Sequence, residues 1–312
     1  MQKIIDFRSR PPFGSFVRDW IFRLDDVPGN PGLRTKYRNM GMDLPASLLR
    51  QSMDEFLKEN EHCGIVHSVV PLRVLPNLHN EDLVELLQTL PGRFTGFAGL
   101  RPVEDGLDKA METVRTLVVD GPCTGIYMEP GLDPHPWLVD DESLFPLYEL
   151  CQEHDVPLYL LFGGVFHKNG APDYDIYSPA RIERLARAFP SLRILLSHAC
   201  WPWTTHACAV AMNWENVWLS PDGFMIDHPG SQDYVTAANY RLQDKILFGS
   251  LYPSVPVEFA VKRYTALLRP EVREKIFYRN AVSFLKLEDD SVRSRKDCSR
   301  SPHDGSTEKT RH

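Results

Sequence analysis

Short apolar runs and longer amphipathic stretches alternate along most of this 312-residue chain. The runs are GIVHSVVP (64–71), RFTGFAGLRP (93–102), CTGIYMEPG (123–131), VPLYLLFGG (156–164), LRILLSHA (192–199), NVWLSPDG (216–223) and KILFGSLYP (245–253). Near-continuous apolar runs, most of them closed by Pro or Gly, suit parallel strands covered on both faces. Between them lie ASLLRQSMDEFLKENE, EDLVELLQTL, LDKAMETVRTLV, ESLFPLYELCQEH, PARIERLARAF and PVEFAVKRYTALL, each amphipathic at helical spacing. A first strand begins with Ile4 and Ile5 in IIDFRSRPP and stops at Pro11. Eight strands, each usually followed by a helix, predict an α/β fold of the (β/α)8 TIM-barrel type over residues 1–287.

Two regions depart from this rhythm. Residues 11–45 are a long Pro-, Gly- and Arg-rich connection after the first strand, expected to fold over the barrel mouth as a lid. Residues 288–312 are polar, charged and nearly free of apolar side chains, and read as a disordered tail. Cys298 and His303 within it read as solvated rather than metal-binding.

Composition narrows the partners. Apolar residues make up 43% and charged residues 25%, as in ordinary globular proteins. No run is long enough to cross a membrane and the N-terminus does not read as a leader, so a cytoplasmic protein without a membrane partner is expected. Six scattered cysteines without a CxxC pair argue against disulfides and cysteine zinc sites. A net charge of −7 argues against a nucleic-acid partner and makes any local arginine cluster informative. Neither G-x-G-x-x-G nor G-x-x-x-x-G-K-[ST] occurs, so no nucleotide cofactor is implied.

In such a barrel the chemistry lies at the C-terminal ends of the strands. Arg8 and Arg10 stand two residues apart and point the same way on an extended chain. Side by side they repel unless something anionic sits between them. Arg73 and Arg101 end the second and third strands, and Tyr127 and Glu129 the fourth. The fifth runs through Leu161 and Phe162 toward His167. The sixth ends in His198, Cys200 and Trp201, the seventh in Ser220 and Asp222, the eighth in Ser250, Leu251 and Tyr252. The pattern suggests a small anionic substrate held by arginines, with His198 or Asp222 placed for proton transfer. Asp6, Glu104 and Glu129 could instead neutralise the arginines internally. Trp201 and Trp203 could wall a ring-shaped substrate or simply pack the rim.

The chain resembles the amidohydrolase-2 branch of the amidohydrolase superfamily, which includes metal-dependent aryl and muconate-type decarboxylases and lactonases. The resemblance rests on IID-x-R-x-R where the family has ID-x-H-x-H, and on FPSLRILLSHACWPW and NVWLSPDGF. It rests also on ILFGSLYP where the family has ILFGSDYP, and on YRNAVSFLKL. The family holds a divalent metal with two histidines of the first strand, one of the fifth and the aspartate of the eighth. The corresponding positions are Arg8, Arg10, Leu161 (or Phe162 one residue on) and Leu251; only the sixth-strand histidine, His198, remains. A protonated guanidinium and a leucine offer no donor, so no metal is expected at the inherited position.

Three functions follow. One is a metal-independent hydrolase, of lactonase type, on a small cyclic or aromatic carboxylate. Arg8 and Arg10 would hold the anion with Arg73, Arg101, Leu161, Trp201, Trp203 and Leu251 around it; His198 would be acid/base, assisted by Asp222, Glu129 or Tyr252. A second is a lyase, decarboxylase or cyclase on the same scaffold. The third is a non-catalytic binding barrel. A homodimer is a reasonable expectation for this branch.

Overall fold

The structure, a computed structural model, describes residues 2–74, 78–164 and 174–287. Its centre is a parallel sheet of seven strands in chain order: β1 (Ile4–Asp6), β2 (Ile65–Pro71), β3 (Phe94–Gly99), β4 (Gly125–Met128), β5 (Leu158–Leu161), β6 (Ile194–Ser197) and β7 (Val217–Ser220). β3 to β6 are buried at every position, as strands covered on both faces require. The register sets Leu161 beside Ser197 and Ser197 beside Ser220, so these strand ends share one rim.

The helices form where the apolar spacing predicts them. Pro179–Ala188 opens with proline at its first position, where no amide hydrogen is needed, and buries Ile182, Leu185 and Ala186. Arg184 and Arg187, on its other side, are more than half exposed. The stretch expected as one helix from Ala46 is two, Ala46–Leu49 and Met53–His62. Gln51 breaks it with φ 48°, and the Ser52 side chain accepts the Glu55 amide to begin the second helix.

The expected eighth strand is not one. Residues 245–253 make single bridges, Leu219 to Ile246 and Ser9 to Tyr252, without a ladder. They still run between β7 and β1: Leu247 N–H donates to Leu219 O, Phe7 N–H to Phe248 O, and Leu251 N–H to Arg8 O. A left-handed Leu251 (φ 66°) and the following Pro253 interrupt the extended geometry that a ladder needs. Gly249 is required where this segment passes: a Cβ there would stand 2.8 Å from Arg8 Cβ and 3.0 Å from Ser220 Oγ. Asp6 ties the seam, accepting Ser250 N–H (2.7 Å) and Ser250 O–H (2.6 Å).

Residues 11–45 fold into two short 3-10 turns, Gly14–Arg18 and Trp20–Phe22, and a helix, Leu33–Asn39. They bury Phe16, Ile21, Phe22, Leu33 and Tyr37 in the common core. Among the described residues no helix is long and apolar enough to cross a membrane. The tail at 288–312, with Cys298 and His303, lies outside the described residues, as does His167.

Candidate functional site

The interior is filled below the rim by rings from neighbouring strands. Phe7, Phe97, Tyr127 and Tyr159 meet edge to face or tilted, with centroids 5.3–6.4 Å apart. Tyr159 O–H donates to Phe7 O (2.8 Å), fixing this floor to β1. Tyr127 turns its hydroxyl up into the charged groups above. Burial pushes that phenol up to about 12, which keeps its proton at neutral pH.

Arg8 and Arg10 do point the same way, and both guanidinium groups lie over the Tyr127 ring. Arg8 Nη1 and Arg10 Nη2 donate to the Tyr127 hydroxyl, at 2.7 and 3.3 Å. That hydroxyl donates in turn to Glu129 Oε1 (2.5 Å), so its one proton and both lone pairs are used. Glu129 also accepts from Arg10 (3.3 Å) and, in bidentate fashion, from Arg73 at 2.6 and 3.1 Å. Although burial pushes the Glu129 carboxyl up, Arg73 and Arg10 outweigh it and hold it down at about 2. Saturated and so weakly basic, Glu129 is placed as a counter-ion and not as a proton acceptor.

Arg73 has a further partner that the sequence did not announce. Its Nη1 lies 3.5 Å from Asp19, and its guanidinium stands over the Trp20 ring, both from the segment after β1. Arg8 differs from its neighbours. It is 2% exposed, and its guanidinium makes one hydrogen bond and no ion pair among the described residues.

Across from the arginines stands a pair. Asp222, fully buried just beyond β7, accepts from His198 Nδ1 at 2.8 Å. Its other oxygen accepts Ser197 O–H (2.8 Å) and the His198 amide (3.3 Å). A carboxylate can only accept, so Nδ1 carries the proton and Nε2 presents a lone pair. Nε2 has no hydrogen-bond partner among the described residues. Burial lowers the proton affinity of His198 despite Asp222, and the charges of Arg8 and Arg10 lower it further. The imidazole is therefore neutral at pH 7, with a free basic nitrogen near the arginines. Phe224 packs tilted against it, ring centroids 4.7 Å apart, and Trp201 lies tilted beyond Phe224 at 5.4 Å.

The backbone is strained at this rim. Nine described non-glycine residues have positive φ; His198, Ala199, Cys200, Asp222 and Leu251 are five of them. Each such residue costs about 1–3 kcal/mol, and such strain clusters where function holds it.

Other expected residues lie elsewhere. Tyr252 turns away from the cluster: its hydroxyl meets Ser47 (2.9 Å) and its ring packs on Phe56. Arg101 pairs with its helical-spacing neighbour Asp105 (2.8 Å) and reaches the site only across a cavity of ≈ 10 Å³ behind Glu129. Trp203 meets Tyr174 at the rim. Trp201 N–H donates to Pro229 O, and Leu251 packs beside Gly223. Leu161 is buried at the end of β5. Ser197, Asp19 and Phe224 were missed by sequence reasoning. Ser197 could have been found, since it directly precedes His198; nothing local marks the other two.

The groups at these strand ends do not suit a divalent ion. Arg8 and Arg10 carry protons where lone pairs would be needed, Leu161 and Leu251 have no donor, and the Nδ1 of His198 is spent on Asp222. Among the described residues no group of three or more His, Cys, Asp or Glu is arranged to hold a metal.

The amidohydrolase family model matches residues 30–287. The chain belongs to the amidohydrolase family. No curated protein matches it by sequence. Among solved structures it is similar to an uncharacterised TIM-barrel protein of Bordetella bronchiseptica, at 30% identity and a TM-score of 0.78, covering 91% of this chain and 98% of that one. It shares its fold with 2,6-dihydroxybenzoate decarboxylase from Rhizobium (20% identity, 93% and 100% coverage, TM-score 0.69). It shares it also with 4-oxalomesaconate hydratase from Rhodopseudomonas palustris (17% identity, 95% and 100% coverage, TM-score 0.60). As an amidohydrolase the chain falls in a family of enzymes, and its strand-end cluster lies where TIM-barrel enzymes carry their chemistry.

Proposed function

We propose that this amidohydrolase is a metal-independent enzyme that hydrolyses a small cyclic or aromatic carboxylate, of lactone type, with residues 245–253 closing the sheet as the eighth stave of a barrel and residues 11–45 covering its mouth. The observation that carries the reading is the Asp222–His198 pair at 2.8 Å with an unpartnered Nε2. Arg8 holds the substrate carboxylate, since it is the guanidinium without a carboxylate partner. Nε2 takes a proton from water as the water oxygen bonds to the lactone carbonyl carbon; Asp222 stabilises the imidazolium. Fixed positive charge from Arg8 and Arg10 favours the oxyanion. The ring C–O bond then breaks, and the leaving oxygen takes the proton from Nε2. With Arg8 2% and His198 7% exposed, substrate entry requires rim side chains to move, Phe224 beside the imidazole among them.

Strain at His198, Asp222 and Leu251 supports catalysis over a barrel that only binds. Decarboxylation is the second reading, favoured by the apolar aromatic ring of Phe224 against the imidazole, with Trp201 beyond it. The test is a panel of lactone and aromatic carboxylates given to chelator-treated protein, reading acid release and carbon dioxide separately. We expect acid release, unchanged by chelator and lowered about 10²–10⁴-fold in His198→Ala. Carbon dioxide would select the second reading; chelator-sensitive turnover would sink the metal-free mechanism.

A further inference from the structure

Among the three buried arginines of the rim, Arg8 alone has no carboxylate in ion-pair range among the described residues. The arginines Arg8, Arg10 and Arg73 face the carboxylates Glu129, Asp19 and Asp222. Glu129 occupies Arg73 through two parallel bonds and takes the Arg10 edge as well. Asp19 sits on the remaining Arg73 nitrogen. Asp222 is turned to His198 and Ser197 and is not in ion-pair range of an arginine among the described residues. Asp6 is tied to Ser250 and adds no cation.

We infer that the site admits a monocarboxylate and excludes a dicarboxylate, and that Glu129 is the residue that sets this limit by filling the place a second carboxylate would take. The inference rests on the carboxylate reading given above and goes beyond it by fixing the number of anionic groups. One carboxylate fits Arg8, whose buried fork has a single hydrogen bond, to a neutral phenol. The charge it brings is met by the Arg8 guanidinium itself, which leaves Nε2 of His198 unprotonated as the base. A second carboxylate on the same ring would meet Glu129, a fixed, buried negative group saturated by four donors, where burial leaves little solvent screening. Buried like charges without a counter-ion are disfavoured far more than the same pair in water.

The test is titration of the whole protein with benzoate and with isophthalate, which differ by one ring carboxylate. In the native protein benzoate should bind at least about 10-fold more tightly, a ratio set by one unpaired buried charge. Glu129→Gln should invert or abolish that ratio by freeing Arg10 and Arg73. Glu129→Gln leaves buried Arg10 without a carboxylate and Arg73 with Asp19 only; should it fail to fold, Glu129→Gln combined with Arg73→Gln keeps the buried charge constant and leaves Arg10 for the second carboxylate. The gain for isophthalate should survive in that double variant. Equal native affinities, or a ratio unmoved by both variants, overturn the inference while the carboxylate site stands. Benzoate affinity unchanged by Arg8→Met would instead overturn the carboxylate site itself, and the inference with it.

Discussion

At Asp222 a single carboxylate carries three hydrogen bonds, and each constrains His198: one fixes the ring tautomer, one its backbone, and one holds Ser197 beside it. This predicts a particular signature for Asp222→Asn. Asp222 raises the proton affinity of His198 against the opposing effect of burial. Its neutral replacement should therefore move the acid limb of kcat/KM to lower pH, while lowering the plateau about 10²-fold or more. In the native protein that limb should already lie below the ordinary histidine value of 6.5, because activity needs the unprotonated base. A limb that moves upward in the variant would exclude Asp222 as the partner that tunes the base. Arg8 is legible at this same scale. Its spacing to Arg10 marked both as facing one point, and only the contacts showed that Arg10 has a carboxylate and Arg8 has none. Arg8→Met should raise KM about 10–100-fold with a smaller effect on kcat, as loss of one charge-assisted bond implies.

Among elements, the seam at 245–253 decides the most. It holds no strand, yet its amides and carbonyls bond to both β7 and β1, and its Gly249 lets Arg8 and Asp222 approach from either side. The Cβ of Gly249→Ala would press on Arg8 Cβ and Asp222 Cβ, atoms too close to the backbone to swing away. Overpacking of this kind costs about 1–3 kcal/mol. Thermal unfolding should show a lower midpoint, and KM should rise because the arginine moves with its backbone. An unchanged midpoint would mean the seam relaxes freely, and that the site is not held by it. The apolar pattern of ILFGSLYP pointed to a strand; the left-handed Leu251 cut it short, since a ladder needs extended backbone on both sides.

The whole molecule responds to pH through the same cluster. Glu129 is held at about 2 in the fold against an ordinary 4.5, so it contributes stability that is complete above about 4.5 and lost as pH falls toward about 2. The contribution is on the order of 3 kcal/mol. Asp6 acts in the opposite sense: burial raises its carboxyl, so protonation there eases the fold as pH falls. Urea midpoints measured down through this window should drop steeply for the native protein and less for Glu129→Gln, which starts lower because it leaves buried Arg10 unpaired. Equal slopes would show that Glu129 does not carry the acid sensitivity.

The repeating runs determined the parallel sheet, its helices and the rim on which Arg8, Arg10, Arg73, Glu129, His198 and Asp222 all stand, because strand period and strand ends are local properties of the chain. Tertiary structure alone decided who partners whom. Glu129 meets Arg73 from 56 residues away and Asp222 meets His198 from 24, while Asp19 arrives from a segment with no strand pattern at all. Tyr252 turns to Ser47, a partner 205 residues away in the chain. Charge pairing depends on distances of a few ångströms in a dry interior, and sequence carries residue types to that interior without fixing those distances.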